Sequence, residues 1–423
     1  MTEAAAGGVT VGTVAYASRL PLTATAMTSI AVPTPVPMRL FYRSLAACFA
    51  LALAVASCAP ARPTASVPAA APSEVIATPT NGIPARLSDT EFWSLINQVS
   101  EPGGYFRSDN ILSNEILFQT VIPRLLETTR RGDIYLGVGP EQNLTYIAAL
   151  EPKMAIIFDI RRGNLHMHML YKALFELSAD RAEFLSRLFS KPRPAWLGSS
   201  VSVDSLFNSY WYVATDSALY RRNLAAVKDH LVRTHGFALT ADDLAGIDYV
   251  YDAFYYGGPS ITYSYPRAPQ AQYPNYADLM VQNDGVGMQR SYLASDAIFR
   301  RLKDLQTRNL IVPVVGDFGG PSAIRAVGDW LRARDAVVGA IYVSNVEQYL
   351  FQGDAWRRYY ESVATLPIDS TTTFIRSVGG QFGGGGGGGG LRLPSVLSSV
   401  EALIAEYRAG RINAYYDVIR ISR

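Results

Sequence analysis

Asp133-Ile134-Tyr135-Leu136-Gly137-Val138-Gly139-Pro140-Glu141-Gln142 is the stretch on which the architecture turns. An apolar strand enters a glycine turn, and Asn143 to Leu150 then has the length and composition of a short helix. Lys153 to Asp159 encloses Met154-Ala155-Ile156-Ile157-Phe158, an unbroken apolar run of the kind buried on both faces. Strand, helix and doubly buried strand in succession assemble as a parallel sheet.

The same pattern resumes at Asn309-Leu310-Ile311-Val312-Pro313-Val314-Val315-Gly316-Asp317, with a helix predicted over Pro321 to Arg334 and a strand over Ala336 to Ser344. Thr371 to Val378 and Tyr415 to Ile421 are β-rich, and Val396 to Tyr407 is amphipathic. Upstream, Ser88-Asp89-Thr90-Glu91 has the capping-box form that opens a helix. Ile116, Leu117, Val121, Ile122, Leu125 and Leu126 keep helical spacing within Ser113 to Thr129. Further helices are expected at Leu165–Leu177, Ala179–Phe189 and Asp216–His235. The class these patterns give is α/β with a mainly parallel sheet.

Glycines at 137 and 139 let a backbone approach a ligand closely, and the following helix N-terminus adds positive potential. Asp159 ends the next strand, 20 residues after Gly139. Nucleotide-binding α/β folds place an acid there to accept hydrogen bonds from ribose hydroxyls. The third glycine of the dinucleotide fingerprint is replaced by Gln142, which argues against NAD and leaves room for an adenosyl ligand without pyrophosphate. A structural glycine turn beside a surface Asp accounts for the spacing equally well.

Glu101 to Asn110 gathers Glu, Tyr, Arg, Asp and Asn around two glycines, a loop composition suited to function. Arg107, Arg161 and Arg162 have the forked chemistry to hold a carboxylate or phosphate, and an ion-pair network of Arg107 with Asp109 or Asp159 is the alternative. Asp317-Phe318-Gly319-Gly320-Pro321 repeats the strand-to-helix layout and either caps an anion or simply turns. His166 and His168 stand two apart and face apart on a helix. His230 and His235 lie at a helix end without an acid or cysteine at ligand spacing, so no metal site is expected. No Gly-x-Ser-x-Gly elbow occurs, and the two cysteines, Cys48 and Cys58, both lie near the start.

The 423 residues carry a formal net charge of +2, which supplies no field for nucleic acid, and their 49% hydrophobic content suffices for a sizeable core. The 25 tyrosines suit ligand grooves, or a generally Tyr-rich core and surface. Met38-Arg39-Leu40-Phe41-Tyr42-Arg43 puts two cations ahead of the apolar run Leu45 to Val55, too short to span a bilayer well. Val55-Ala56-Ser57-Cys58 then resembles the lipobox of bacterial lipoproteins, in which the cysteine is acylated and becomes the first mature residue. The organisation expected is an extension upstream of the true start over 1–37, a lipoprotein signal peptide over 38–57, an Ala/Pro/Thr-rich tether over 58–86 and an α/β domain over 87–423. The anchor would be acyl chains on Cys58 in membrane lipid. Ala59, where Asp would signal inner-membrane retention, leans the destination towards the outer membrane of the cell envelope. The eight-glycine run Gly383–Gly390 reads as a loop expansion.

Glu101–Asn110, Tyr135–Ala148, Asp159-Ile160-Arg161-Arg162-Gly163-Asn164 and Glu176-Leu177-Ser178-Ala179-Asp180-Arg181 look like an uncharacterised bacterial family. Its fold is thought to be similar to class I S-adenosylmethionine-dependent methyltransferases. The resemblance implies a doubly wound, Rossmann-like sheet of about seven strands, a cofactor loop at Gly137, Gly139 and Glu141, Asp159 as the ribose acid and Asp317 on the substrate side, where Tyr105 is a further candidate if the domain is an enzyme. Glu141-Gln142 stands where the family of enzymes has glycines, and no Asn-Pro-Pro-Tyr motif follows the later strand. An exported domain would rarely meet a cytoplasmic cofactor. Two functions follow: an envelope lipoprotein whose former cofactor cleft binds a small ligand or an envelope protein, or a methyltransferase of unknown substrate.

Overall fold

Residues 82–264, 273–378 and 394–422 are described by the computed structural model. They fall within one unit, Val75–Arg423. Cys58, the leader, most of the tether and the run Gly383–Gly390 lie outside the described residues.

The apolar runs pair as the buried pattern requires. β1 (Ile134–Val138), β2 (Ala155–Asp159), β3 (Ile311–Val315), β4 (Val338–Ser344), β5 (Thr373–Ser377) and β6 (Ser395–Ser399) form one sheet in the order β3-β2-β1-β4-β5-β6. The first five are parallel, with Tyr135 opposite Ala155 and Ala155 opposite Ile311, and β6 runs antiparallel to β5. Chain order reverses between β1 and β4, the doubly wound signature. Pro313 sits within β3, and β3 is an edge strand, where a residue without an N–H is tolerated.

The helices are α1 (Asp89–Val99), α2 (Ile122–Thr128), α3 (Gln142–Leu150), α4 (Arg162–Leu177), α5 (Arg181–Phe189), α6 (Val203–Trp211), α7 (Ser217–Asp229) and α8 (Ala241–Gly257). After these come α9 (Tyr276–Val281), α10 (Asp296–Thr307), α11 (Ala323–Arg332), α12 (Val346–Leu350), α13 (Ala355–Val363), α14 (Val400–Arg408) and α15 (Tyr415–Arg420). α3, α4 and α10 pack together on one face of the sheet, and α11, α13 and α14 follow one another on the other. The connection from β2 to β3 carries α4 to α10, a helical insertion whose aromatic side chains join the core shared with the sheet. There Phe175 stacks on Phe299 at 4.9 Å and meets Phe184 at 4.8 Å.

Three expectations need correction. Six strands, not seven, are present among the described residues. Tyr415 to Ile421 is helical: Asp417 accepts the Asn413 and Ala414 N–H groups, and Tyr415 and Val418 are buried one turn apart, so local capping and packing override β propensity. The segment Ser113–Thr129 is not one helix either. A short 3-10 turn over Phe118–Val121 precedes α2, and Pro123, in the first turn of α2, restarts the helix. The capping box predicted at Ser88 and Glu91 is formed on both sides.

Candidate functional site

Open doubly wound sheets bind ligands outside the carboxyl ends of their strands, where the order reverses. A cavity of about 520 Å³ lies at that place. Gly139 after β1, Asp159 at the end of β2, Asp317 after β3 and Ser344 at the end of β4 all reach its wall. Much of the remaining wall is aromatic, from Phe106, Tyr263, Phe318, Tyr342 and Tyr349.

The glycine turn is fixed chiefly from within. A Cβ at Gly137 would lie 2.0 Å from Asn143 Oδ1 and 2.8 Å from the Tyr135 ring, so this glycine makes room for packing and does not reach the cavity wall. Gly139 has φ +79°, and there the backbone itself demands glycine. Asn143 Nδ2 reaches the carbonyls of Val138, Gly139 and Pro140 at 2.9, 3.3 and 2.7 Å, while Tyr135 donates to its Oδ1 at 2.8 Å. His168 Nε2 donates to the Gly139 carbonyl at 2.9 Å; burial pushes this imidazole down to about 4, so it is neutral.

Glu141 lies wholly buried behind that wall. Its carboxyl folds back onto its own N–H and faces the Ser113 N–H at 3.5 Å, and it makes no capping bond to α3. Burial raises it to about 8, helped by the nearby Glu115. Asp159 is 4% exposed and gripped by Arg161, with Nη2 to Oδ2 at 3.0 Å, Nε to Oδ1 at 3.2 Å and the backbone N–H at 2.8 Å. Arg161 Nη1 also donates to the Asp109 carbonyl.

Arg162 is bound to Asp243 at 2.6 and 3.0 Å, and His166 Nε2 meets the same carboxylate at 2.8 Å. Burial alone would raise Asp243, but Arg162, Thr240 and His166 outweigh it and hold the group well below the usual range. Arg107 reaches instead to Tyr349, its guanidinium 5.9 Å from the ring centroid. The three arginines therefore do not converge, and two of them form ion pairs. Tyr105 is 85% exposed and off the cavity wall.

The turn after β3 does cap an anion, and that anion belongs to the chain. Glu101 Oε1 accepts the N–H groups of Ser322 and Ala323 at 2.7 and 2.8 Å, and its Oε2 accepts that of Asp317 at 3.1 Å. Burial opposes ionisation, yet these bonds hold Glu101 below its ordinary value. The loop is thereby pinned across β3, where the Glu101 N–H donates to Val315 at 2.8 Å.

Glu115 is the wall residue that sequence reasoning passed over. It is 1% exposed. Its Oε1 accepts from Tyr342 at 2.8 Å and Ser344 at 2.5 Å, and its Oε2 from Gln142 at 3.0 Å. Burial is the largest influence on this carboxyl and raises it above the ordinary value. A buried acid whose carboxyl holds its proton more tightly than usual can, in an aromatic cavity, exchange a hydrogen bond or a proton with a ligand whose planar part stacks on the walls. Ser344 could have been found from its place at the end of a predicted strand beside the switch point. Glu115 could not, because the irregular backbone before Phe118 aims it. His230 and His235, read as lacking an acid partner, both contact Glu176.

A family model described as a domain of unknown function (DUF7790) matches residues 110–385, well over half of the chain. The chain belongs to this family. No curated protein matches it. The matched DUF7790 span contains β1 to β5 and most of the cavity wall, including Glu115, Asp159, Asp317 and Ser344. Glu101 and the rest of its loop before Asn110 lie upstream of that span.

Proposed function

We propose that this is an envelope lipoprotein whose Rossmann-like domain binds a small, largely apolar ligand in the cleft at the carboxyl ends of β1 and β4. The observation that carries the reading is the cavity of about 520 Å³ at the switch point, aromatic on its walls and furnished with the buried Glu115 cluster. That volume suits a drug-sized molecule. Attachment to membrane lipid would come from acylation of Cys58; among the described residues no helix is long and apolar enough to cross a membrane. The lipobox resemblance supports the anchor, and Ala59 favours the outer membrane.

The test uses ligand-observed NMR with uncharged aromatic fragments on the wild type and on Val346→Trp, which fills the cavity. Binding should be saturable in the wild type and lost in the variant. Equal binding in both would refute the cleft as the site.

Methyl transfer is the second reading, supported by the placement of Gly139, Asp159 and Asp317 on one wall. One feature weighs against it: Asp159 is committed to Arg161. Calorimetric titration with S-adenosylmethionine and S-adenosylhomocysteine separates the two. Saturable binding removed by Asp159→Ala would support the enzyme, and no heat at millimolar cofactor would exclude it.

A further inference from the structure

The helix beginning at Ser217 does not finish as an α-helix. His230–Thr234 closes as a π turn, with the His235 N–H donating to the His230 carbonyl at 3.0 Å. Such turns are rare and recur at functional sites. This one brings the rings of His230 and His235 to 4.7 Å from one another. Both Nε2 atoms reach Oε2 of Glu176 on α4, each at 2.6 Å. The three atoms lie within 4.8 Å of one another.

Outer contacts orient this set. His235 Nδ1 meets Asp89 Oδ1 on α1 at 2.7 Å, and Lys172 Nζ holds the other oxygen of Glu176 at 2.7 Å. A carboxylate behind a histidine is the arrangement that fixes tautomer and ring angle in metal sites. With its Nδ1 proton given to Asp89, neutral His235 points a lone pair at a carboxylate oxygen, which is repulsive. Without a cation the same contacts are hydrogen bonds, with protonated His235 donating to Asp89 and Glu176 and His230 Nε2 donating to the second lone pair of the shared oxygen. A cation between the three atoms uses all of them. Imidazole and carboxylate together suit zinc and its neighbours better than the harder calcium or magnesium.

We propose that Glu176, His230 and His235 bind a divalent cation of the zinc class, completed by water, which ties α4 to the end of α7. The site is separate from the cleft and does not depend on what the cleft binds. The test is titration of the chelator-stripped full chain with Co2+, read by visible absorption, followed by displacement with Zn2+. One equivalent should give the spectrum of a four-coordinate ion, and chelation should lower Tm. His230→Ala and His235→Ala should abolish the spectrum, while Asp89→Asn should weaken zinc binding roughly 10- to 100-fold without changing its stoichiometry. Absence of saturable Co2+ and Zn2+ binding in the wild type would overturn the proposal, as would a spectrum unchanged in both histidine variants. The wild-type arm stands even if a variant folds poorly.

Discussion

Two neighbouring glycines do different physical work, and substitution separates them. Ala at 139 meets no atom within 4 Å, so its cost is backbone strain alone, about 1–2 kcal/mol. Ala at 137 would displace Asn143 and uncover three carbonyls, which should cost about 3 kcal/mol or more. Urea denaturation of the two variants checks the order, and equal losses would contradict it. Glu141 gives a pH prediction. Its carboxyl, ordinarily near 4.5, is raised to about 8 in the folded chain, so the folded state binds more protons between those values and stability should fall as pH rises through them. Glu115, raised by the same burial, acts in the same direction. Glu141→Gln should flatten that slope when stability is compared at about pH 5 and about pH 8. Gly139, Asp159 and Asp317 were legible in the sequence because strand ends can be read from apolar runs. The partners of Asp159 and the presence of Glu115 were not, because they depend on side chains from segments far apart in the chain.

At the scale of elements, Glu101 joins the turn before α11 to the loop that crosses β3. Glu101→Gln should cost about 1 kcal/mol as a lost charged cap, and it should raise hydrogen exchange in residues 101–110 before the core opens. On β5, Arg376 is wholly buried and paired with Glu347 on α12 at 2.5 and 3.1 Å, with Tyr360 on the same carboxylate at 2.8 Å. Removing Arg376 alone, as Arg376→Met, should cost about 3–5 kcal/mol by leaving a buried charge, and Glu347→Met beside it should recover much of that loss. No recovery in the double variant would show that packing, not charge, dominates. β1 to β4 were legible because doubly buried runs are continuous and apolar, whereas β6, Ser395–Ser399, is a half-polar edge strand that overlaps the stretch read as amphipathic. The π turn at His230, the broken segment before α2 and the helix at Tyr415 were hidden, since each is set by caps and tertiary contacts against local propensity.

For the whole molecule, the parallel α/β sheet followed from strand-helix-strand order and its doubly wound layout from the family resemblance, while the long helical insertion between β2 and β3 was visible only as separate helices. The sheet places its switch point, and the cavity, where four strand ends meet. If Cys58 anchors the chain, mass analysis of the mature N-terminus should show diacylglycerol on that residue, and a terminus elsewhere without lipid would contradict it. The central claim is that the cleft holds a small ligand, and saturation-transfer NMR with uncharged aromatic fragments addresses it most directly. The account predicts saturable transfer to fragments with the wild-type domain and its loss in a folded Val346→Trp variant; undiminished transfer in that variant, or none in the wild type, would contradict it.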